Sequence, residues 1–146
     1  FRDSPFAVGG ALNVNAPKFE NELKRACKKE ACGASFLLTQ PIYTKRAVDN
    51  LARARQALHG KIMAGFMPVA SYKNALFLNH EVSGVEIPQE IVKRLEGASQ
   101  QQARDITAPY AAGLMKQAAP HCDGYYLMTP LRKTALVIRL MQEGLA

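Results

Sequence analysis

Three apolar, strand-like runs in this chain each stop at a residue that is followed by proline. The runs are FLLTQP (residues 36–41), IMAGFMP (residues 62–68) and YYLMTP (residues 125–130). Proline has no N–H to donate to a sheet and holds the preceding residue extended, so each run ends sharply. Gln40, Met67 and Thr129 are therefore predicted to lie at the carboxyl ends of strands.

Helical patterns follow all three runs, and a fourth apolar run opens the chain at residues 6–11. Apolar residues at three- and four-residue spacing predict helices over residues 18–31, 45–58, 100–117 and 131–142. Shorter helices are predicted after Ser71 and from Pro88 to Leu95, with Thr44 and Ser71 as N-caps. In the last helix the residues expected along the inward side are Leu131, Ala135, Ile138 and Met141.

Strands that alternate with helices indicate an α/β domain with a parallel sheet. An open sheet of four parallel strands would leave two unpaired edges. A (β/α)8 TIM barrel closes its sheet, and half of such a barrel is the natural completion of the pattern. The chain starts at Phe1 and enters a strand almost at once, so we expect a piece of a longer polypeptide.

The composition excludes several classes of function. Hydrophobic residues make up 48% of the 146, which indicates a globular domain, and no apolar run is long enough to span a bilayer. Three cysteines without a C-x-x-C pair favour a reducing, cytoplasmic compartment, and the isolated histidines give no metal site. The net charge of +7 is scattered over helix faces, so a nucleic-acid-binding module is a weak alternative.

The residues that follow the predicted strands are all neutral, and the twelve Asp and Glu residues are assigned to helices and outer loops. No catalytic acid or base is therefore assigned to this chain. Gln40 is the sharpest candidate, because its amide can donate and accept at once and so read the edge of a heterocycle. The alternative is a glutamine that ends a strand and bonds only to backbone.

Four segments resemble the methylenetetrahydrofolate reductase family. They are GGALNVN (residues 9–15), CGASFLLTQPIY (32–43), AGFMPV (64–69) and GYYLMTP (124–130). The last is similar to the branch in which the reductase is fused to a homocysteine S-methyltransferase domain. The resemblance covers essentially residues 1–146 and implies the C-terminal half of a (β/α)8 barrel, its last four β/α units.

The resemblance implies a flavoprotein that reduces 5,10-methylenetetrahydrofolate to 5-methyltetrahydrofolate, with FAD relaying hydride from NAD(P)H. The positions that match folate-binding residues of the family are Gln40, Tyr43 and Leu78. The positions that match FAD-binding residues are Gly10, Leu12, Asn13, Lys29 and Ala34.

Two departures from the family pattern limit what is carried over. The family's catalytic glutamate and the aspartate that tunes the flavin come from the first four strands, which have no counterpart in this sequence. An acidic residue that contacts the flavin ribose in some members falls near Glu22.

The partners that the resemblance implies are the folate substrate, the N-terminal half of the barrel, a fused methyltransferase domain and further copies in a homo-oligomer. The alternative is a half-barrel that only binds ligand or assists assembly.

Overall fold

The computed structural model describes residues 6–130 and 133–146 and contains one parallel sheet of four strands. The strands are β1 (Gly9–Leu12), β2 (Phe36–Thr39), β3 (Lys61–Phe66) and β4 (Gly124–Leu127), paired in chain order. The α/β class and the parallel sheet are therefore confirmed. The first strand begins later than predicted, at Gly9, and Phe6 is largely exposed.

Helices fill every connection between the strands. They are α1 (Phe19–Ala31), α2 (Lys45–Ala57), α3 (Tyr72–Glu81), α4 (Gln89–Leu95), α5 (Gln100–Ala118) and α6 (Thr134–Gly144). The predicted N-caps are confirmed: the Thr44 hydroxyl accepts from the Ala47 N–H and the Ser71 hydroxyl from the Asn74 N–H. Pro88 is the N-cap of α4 and not its first helical residue. No helix in the described part of the chain is long and apolar enough to cross a membrane.

One face of the sheet is covered by helices. Leu37, Ile62 and Phe66 point from that face into the main hydrophobic core, where they meet residues of α1, α2, α5 and α6. Each of these three side chains is almost completely removed from water, which is the dominant favourable term in folding. The core therefore lies between the sheet and its connecting helices.

The opposite face of the sheet carries a different row of side chains. Ala11, Leu38, Met63 and Gly124 are in-register partners across the four strands, so they share this face. The Leu38 side chain is 38% exposed there, and Ala11 is exposed as well. Parallel sheets are almost always covered on both faces, so this second face is a surface that an interacting element would bury.

The inward face predicted for the last helix is wrong. Ala135 is exposed, Ile138 is 54% exposed and Met141 is 42% exposed, whereas Leu136 and Leu140 are buried. The predicted start at Leu131 lies outside the described residues, and α6 begins at Thr134. The segment ALVIRLM is apolar on nearly every side, so spacing alone fits two stripes.

Asp123 ties the amino ends of two strands together. Its carboxylate accepts from the Ile62 N–H at 2.8 Å, from Lys61 Nζ at 3.1 Å and from Arg55 Nη1 at 3.0 Å. The Ile62 N–H bond, followed by the two cations, lowers the pKa of Asp123 below its usual value. A carboxyl group whose pKa is lowered by folding stabilises the fold above its unfolded pKa and loses that contribution as the pH falls.

We expect Asp123→Asn to lower the free energy of unfolding at pH 7 by about 1–3 kcal/mol, because charged hydrogen bonds are lost. The difference from wild type should shrink as the pH falls below about 4, because the carboxyl group of the unfolded chain is protonated first and that of the folded chain, whose pKa is lowered, only at lower pH. Urea unfolding at several pH values measures both effects. Asp49→Asn is the matched control, since Asp49 forms an exposed ion pair with Lys45 and its replacement should change the stability little.

Candidate functional site

The carboxyl ends of the four parallel strands meet at one edge of the sheet, and Gln40 follows β2 at that edge. Its backbone N–H donates to the Leu12 carbonyl at 2.9 Å. The Pro41 carbonyl accepts from Asn15 Nδ2 at 3.0 Å, and the Ile42 N–H donates to the Gly65 carbonyl at 3.0 Å. The main chain around Gln40 is therefore held by β1, by β3 and by the loop after β1.

Thr39 shows how the β2–β3 ladder ends beside this segment. The register of β2 on β3 runs to Leu38 opposite Met63 and stops there. The Thr39 hydroxyl, which is buried, accepts from the Gly65 N–H at 2.9 Å. In a regular ladder a strand carbonyl would accept the Gly65 N–H, whereas here the Thr39 hydroxyl accepts it. The Thr39 carbonyl is therefore left for another partner.

That partner is Tyr126 of β4, whose hydroxyl donates to the Thr39 carbonyl. The ring crosses β3 over Gly65, where a Cβ atom would lie 2.6 Å from the ring and hydroxyl atoms. Burial raises the pKa of the Tyr126 phenol, so the group remains a proton donor at neutral pH. Gly65 is a glycine because the tyrosine passes directly above its Cα.

The two adjacent tyrosines of β4 face opposite sides of the sheet. Tyr125 packs edge-to-face on Phe66 at 5.9 Å between centroids, and its hydroxyl donates to the Met115 carbonyl of α5. Tyr126 lies on the opposite face, the uncovered face that also carries Leu38 and Met63. Of the two, Tyr125 packs against the main hydrophobic core.

The side-chain amide of Gln40 is partly buried and has no hydrogen-bond partner within residues 6–130 and 133–146. An amide of this kind keeps two donors and an acceptor for another molecule. Because the backbone on both sides is fixed, the amide is presented from a rigid support, as a precise binding group requires.

Tyr43 and Leu78, the other two predicted folate-binding residues, lie in a second hydrophobic cluster between α3, α4 and α5. Both side chains are only 4% exposed. The Tyr43 hydroxyl donates to the Met67 carbonyl at 2.8 Å, and burial raises its pKa well above the usual range. In the described structure these side chains pack and support the loop after β3, while the neighbouring Phe77 is exposed.

Three of the predicted cofactor residues, Gly10, Lys29 and Ala34, line one pocket of about 280 Å³ together with Val8, Gly9 and Cys32. The stem of Lys29 lies against Gly10, where a Cβ atom would come within 3.1 Å of it. Lys29 Nζ donates to the Ala11 carbonyl and lies 3.8 Å from Glu22 Oε1. The pocket is therefore mostly apolar, with one ammonium group at its side.

Leu12 and Asn13 lie at the carboxyl end of β1 and do not line that pocket. Leu12 is completely buried in the main core. The Asn13 N–H donates to Glu22 Oε1 at 3.1 Å, and Asn13 Oδ1 accepts from the Asn15 N–H at 3.0 Å. Glu22 is thus the carboxylate placed next to the strand ends, although its position in α1 assigned it to a helix surface.

The predicted residues do not form one compact cluster. Ala34 precedes β2 and Gln40 follows it, so the two are about 20 Å apart along an extended strand. A single small ligand cannot contact both Ala34 and Gln40. An elongated molecule, or two molecules that meet end to end, can do so.

A match to a family model shows which protein family this chain belongs to. The family model described as methylenetetrahydrofolate reductase matches residues 7–142. The chain belongs to this family. No curated protein sequence matches the chain.

A solved structure with a similar fold supports the same architecture. An uncharacterized protein from Clostridium thermocellum, described as binding two copies of 5-methyl-5,6,7,8-tetrahydrofolic acid, matches with a TM-score of 0.65 and 17% sequence identity. The match covers 93% of this chain and 51% of that chain. This member of the reductase family therefore spans about half the length of the similar structure.

The Thr39–Tyr126 contact is the part of the site that the sequence did not predict, whereas Glu22 was indicated only by resemblance to an acidic residue of the family. Tyr126 is 87 residues from Thr39, and only the strand register brings the two together. A local signal did exist for Glu22, which lies seven residues before Lys29 and so on the same face of α1.

We expect Thr39→Val to lower the free energy of unfolding by about 1–3 kcal/mol, because the buried Gly65 N–H loses its acceptor while the side-chain volume is unchanged. Thr39→Ser keeps the hydroxyl and is the matched control. Serine should be the more stable of the two variants by urea unfolding, although it fills less space. A valine variant as stable as wild type would show that the hydroxyl does not serve as the acceptor.

Proposed function

We propose that this chain is the C-terminal half of a (β/α)8 barrel and supplies its last four β/α units, over residues 1–146. Three observations support the proposal. Within residues 6–130 and 133–146, β1 and β4 each pair with one neighbouring strand, the face that carries Leu38 is exposed, and the match covers 51% of the similar solved structure. The N-terminal half of the same barrel would pair with β1 and β4 and bury the row that contains Leu38.

The proposed activity is the reduction of 5,10-methylenetetrahydrofolate to 5-methyltetrahydrofolate with NAD(P)H as the hydride donor. Membership of the reductase family supports a folate-related oxidoreductase. The observation that carries the assignment is the Gln40 amide, which has no hydrogen-bond partner among the described residues and lies on a backbone held by hydrogen bonds on both sides. Gln40 would bind the edge of the pterin, which presents donors and acceptors in one plane. The similar structure's ligand belongs to the same folate class.

The pocket at Gly10, Lys29 and Ala34 fits part of an FAD molecule. Its apolar wall suits a flat ring, and the Lys29 ammonium suits a phosphate oxygen. When bound, FAD supplies the hydride-transfer chemistry between NAD(P)H and the folate. The residues of this chain would hold and orient the two molecules, and the acid that donates a proton would come from the other half of the barrel.

The remaining expectations stay proposals. We place the protein in the cytoplasm, as a homo-oligomer, with a homocysteine S-methyltransferase domain as a candidate fusion partner. The excess of Lys and Arg suits an anionic substrate such as a folate with several glutamates.

A visible absorption spectrum of the intact protein, recorded without oxygen, tests the function. A flavin spectrum that bleaches with NADH or NADPH and recovers on addition of 5,10-methylenetetrahydrofolate would support the reductase. Absence of flavin, or flavin that neither nucleotide bleaches, would contradict it and favour a half-barrel that only binds ligand.

We expect Gln40→Ala to raise the KM for methylenetetrahydrofolate about tenfold or more, because up to two hydrogen bonds to the pterin are lost. Bleaching of the flavin by NADH should change little, since that half-reaction does not involve folate. Stopped-flow measurement of the two half-reactions separates these effects. Gln56→Ala, at an exposed position of α2, is the control. Unchanged folate kinetics would exclude Gln40 from the folate site.

We expect Lys29→Ala to weaken FAD binding about 10- to 100-fold, because a charged contact with phosphate is lost. The change should be smaller at high salt, where the attraction is screened. Lys28→Ala removes an equal charge from an exposed neighbouring position. Equal losses of affinity in the two variants, measured by flavin fluorescence titration, would assign the effect to overall charge and not to the pocket.

A further inference from the structure

Tyr126 makes a contact that is unusual for a residue on a strand. Its side chain starts on β4, crosses the neighbouring strand β3 at Gly65 and donates to a carbonyl of β2. Two features of the sequence are needed for this: a glycine where the ring crosses, and a free carbonyl where the hydroxyl arrives.

The free carbonyl exists because of Thr39. Its hydroxyl accepts the Gly65 N–H at 2.9 Å, so the Thr39 carbonyl is released from that pairing. Thr39 is only 2% exposed, so both its hydroxyl oxygen and its carbonyl oxygen are shielded from water. The Thr39 hydroxyl thus accepts the Gly65 N–H, and the Tyr126 hydroxyl donates to the carbonyl that this bond leaves over.

The peptide unit that joins Thr39 to Gln40 is held at both of its polar atoms. Its carbonyl oxygen accepts from Tyr126, and its N–H donates to the Leu12 carbonyl at 2.9 Å. A peptide unit is planar, so fixing both ends fixes the plane. The position of the Gln40 Cα atom is then set as well, and the hydrogen bonds of the Pro41 carbonyl and the Ile42 N–H hold the backbone on its other side.

We propose that Tyr126 is a positioning residue, which acts through the Thr39 carbonyl to aim the Gln40 amide at the folate. The proposal rests on the proposed function for its substrate.

Tyr125 provides a matched control in the same strand. Its hydroxyl also donates to a backbone carbonyl, that of Met115 at 3.0 Å, but on the helix side of the sheet. Tyr125→Phe and Tyr126→Phe therefore each remove one tyrosine-to-carbonyl hydrogen bond. Their general effects on stability should be similar, and only Tyr126→Phe should reach the Gln40 segment.

The test uses the intact protein and two readouts. In Tyr126→Phe, the KM for methylenetetrahydrofolate should rise about three- to tenfold, the effect of one hydrogen bond, while bleaching by NADH stays unchanged. Amide hydrogen exchange in the peptide over residues 36–43 should be faster by a similar factor. In a Gln40→Ala background, adding Tyr126→Phe should raise the KM no further, because the two residues act through one contact.

The proposal is overturned if Tyr126→Phe leaves exchange over residues 36–43 unchanged, or if Tyr125→Phe raises the folate KM equally. It is also overturned if the effects of Tyr126→Phe and Gln40→Ala on KM are additive. A wild-type protein that does not turn over methylenetetrahydrofolate would contradict the proposed function. Faster exchange in Tyr126→Phe alone would then still uphold the contact between Tyr126 and the Gln40 segment.

Discussion

The hydrogen bond between the Gly65 N–H and the Thr39 hydroxyl is the interaction on which the candidate site depends. It ends the regular β2–β3 pairing one residue before Gln40 and frees the Thr39 carbonyl for Tyr126. The segment that carries Gln40 is then fixed by backbone and side-chain bonds from β1, β3, β4 and the loop after β1. A strand end held in this way can present one polar side chain with little loss of entropy on binding.

The end of β2 lies between a face of the sheet that helices cover and a face that is exposed. Helices bury Leu37, Ile62 and Phe66 on one side, while Leu38 and the Tyr126 ring lie on the other. Strand carboxyl ends are where barrel enzymes place their ligands. The same arrangement explains why no catalytic carboxylate is required of this chain, since a barrel site is assembled from several strands and the proposed other half supplies four of them.

Local signals in the sequence predicted much of the fold. Proline after Gln40 and Met67 stopped β2 and β3 within a residue of the prediction, because proline cannot continue a ladder. Thr44 and Ser71 were predictable as N-caps because each hydroxyl accepts from a backbone N–H only three residues later, within one helical turn. The inward side of α6 was missed because that helix is apolar on most sides and only its packing on α5 selects Leu136 and Leu140.

The site was less accessible to sequence reasoning than the fold. Resemblance to the family selected Gln40, Lys29 and Ala34, and the length of β2 separates Gln40 from Ala34. The role of Tyr126 depends on strand register, which brings together residues that are far apart in the chain. No local pattern carries that information.

The most direct test of this account is an experimental structure of the intact protein with bound 5-methyltetrahydrofolate. The account predicts the pterin at the carboxyl end of β2, with the Gln40 amide within hydrogen-bond distance of its ring atoms and the Tyr126 hydroxyl on the Thr39 carbonyl. A pterin bound elsewhere, with the Gln40 amide turned to a backbone group, would contradict it.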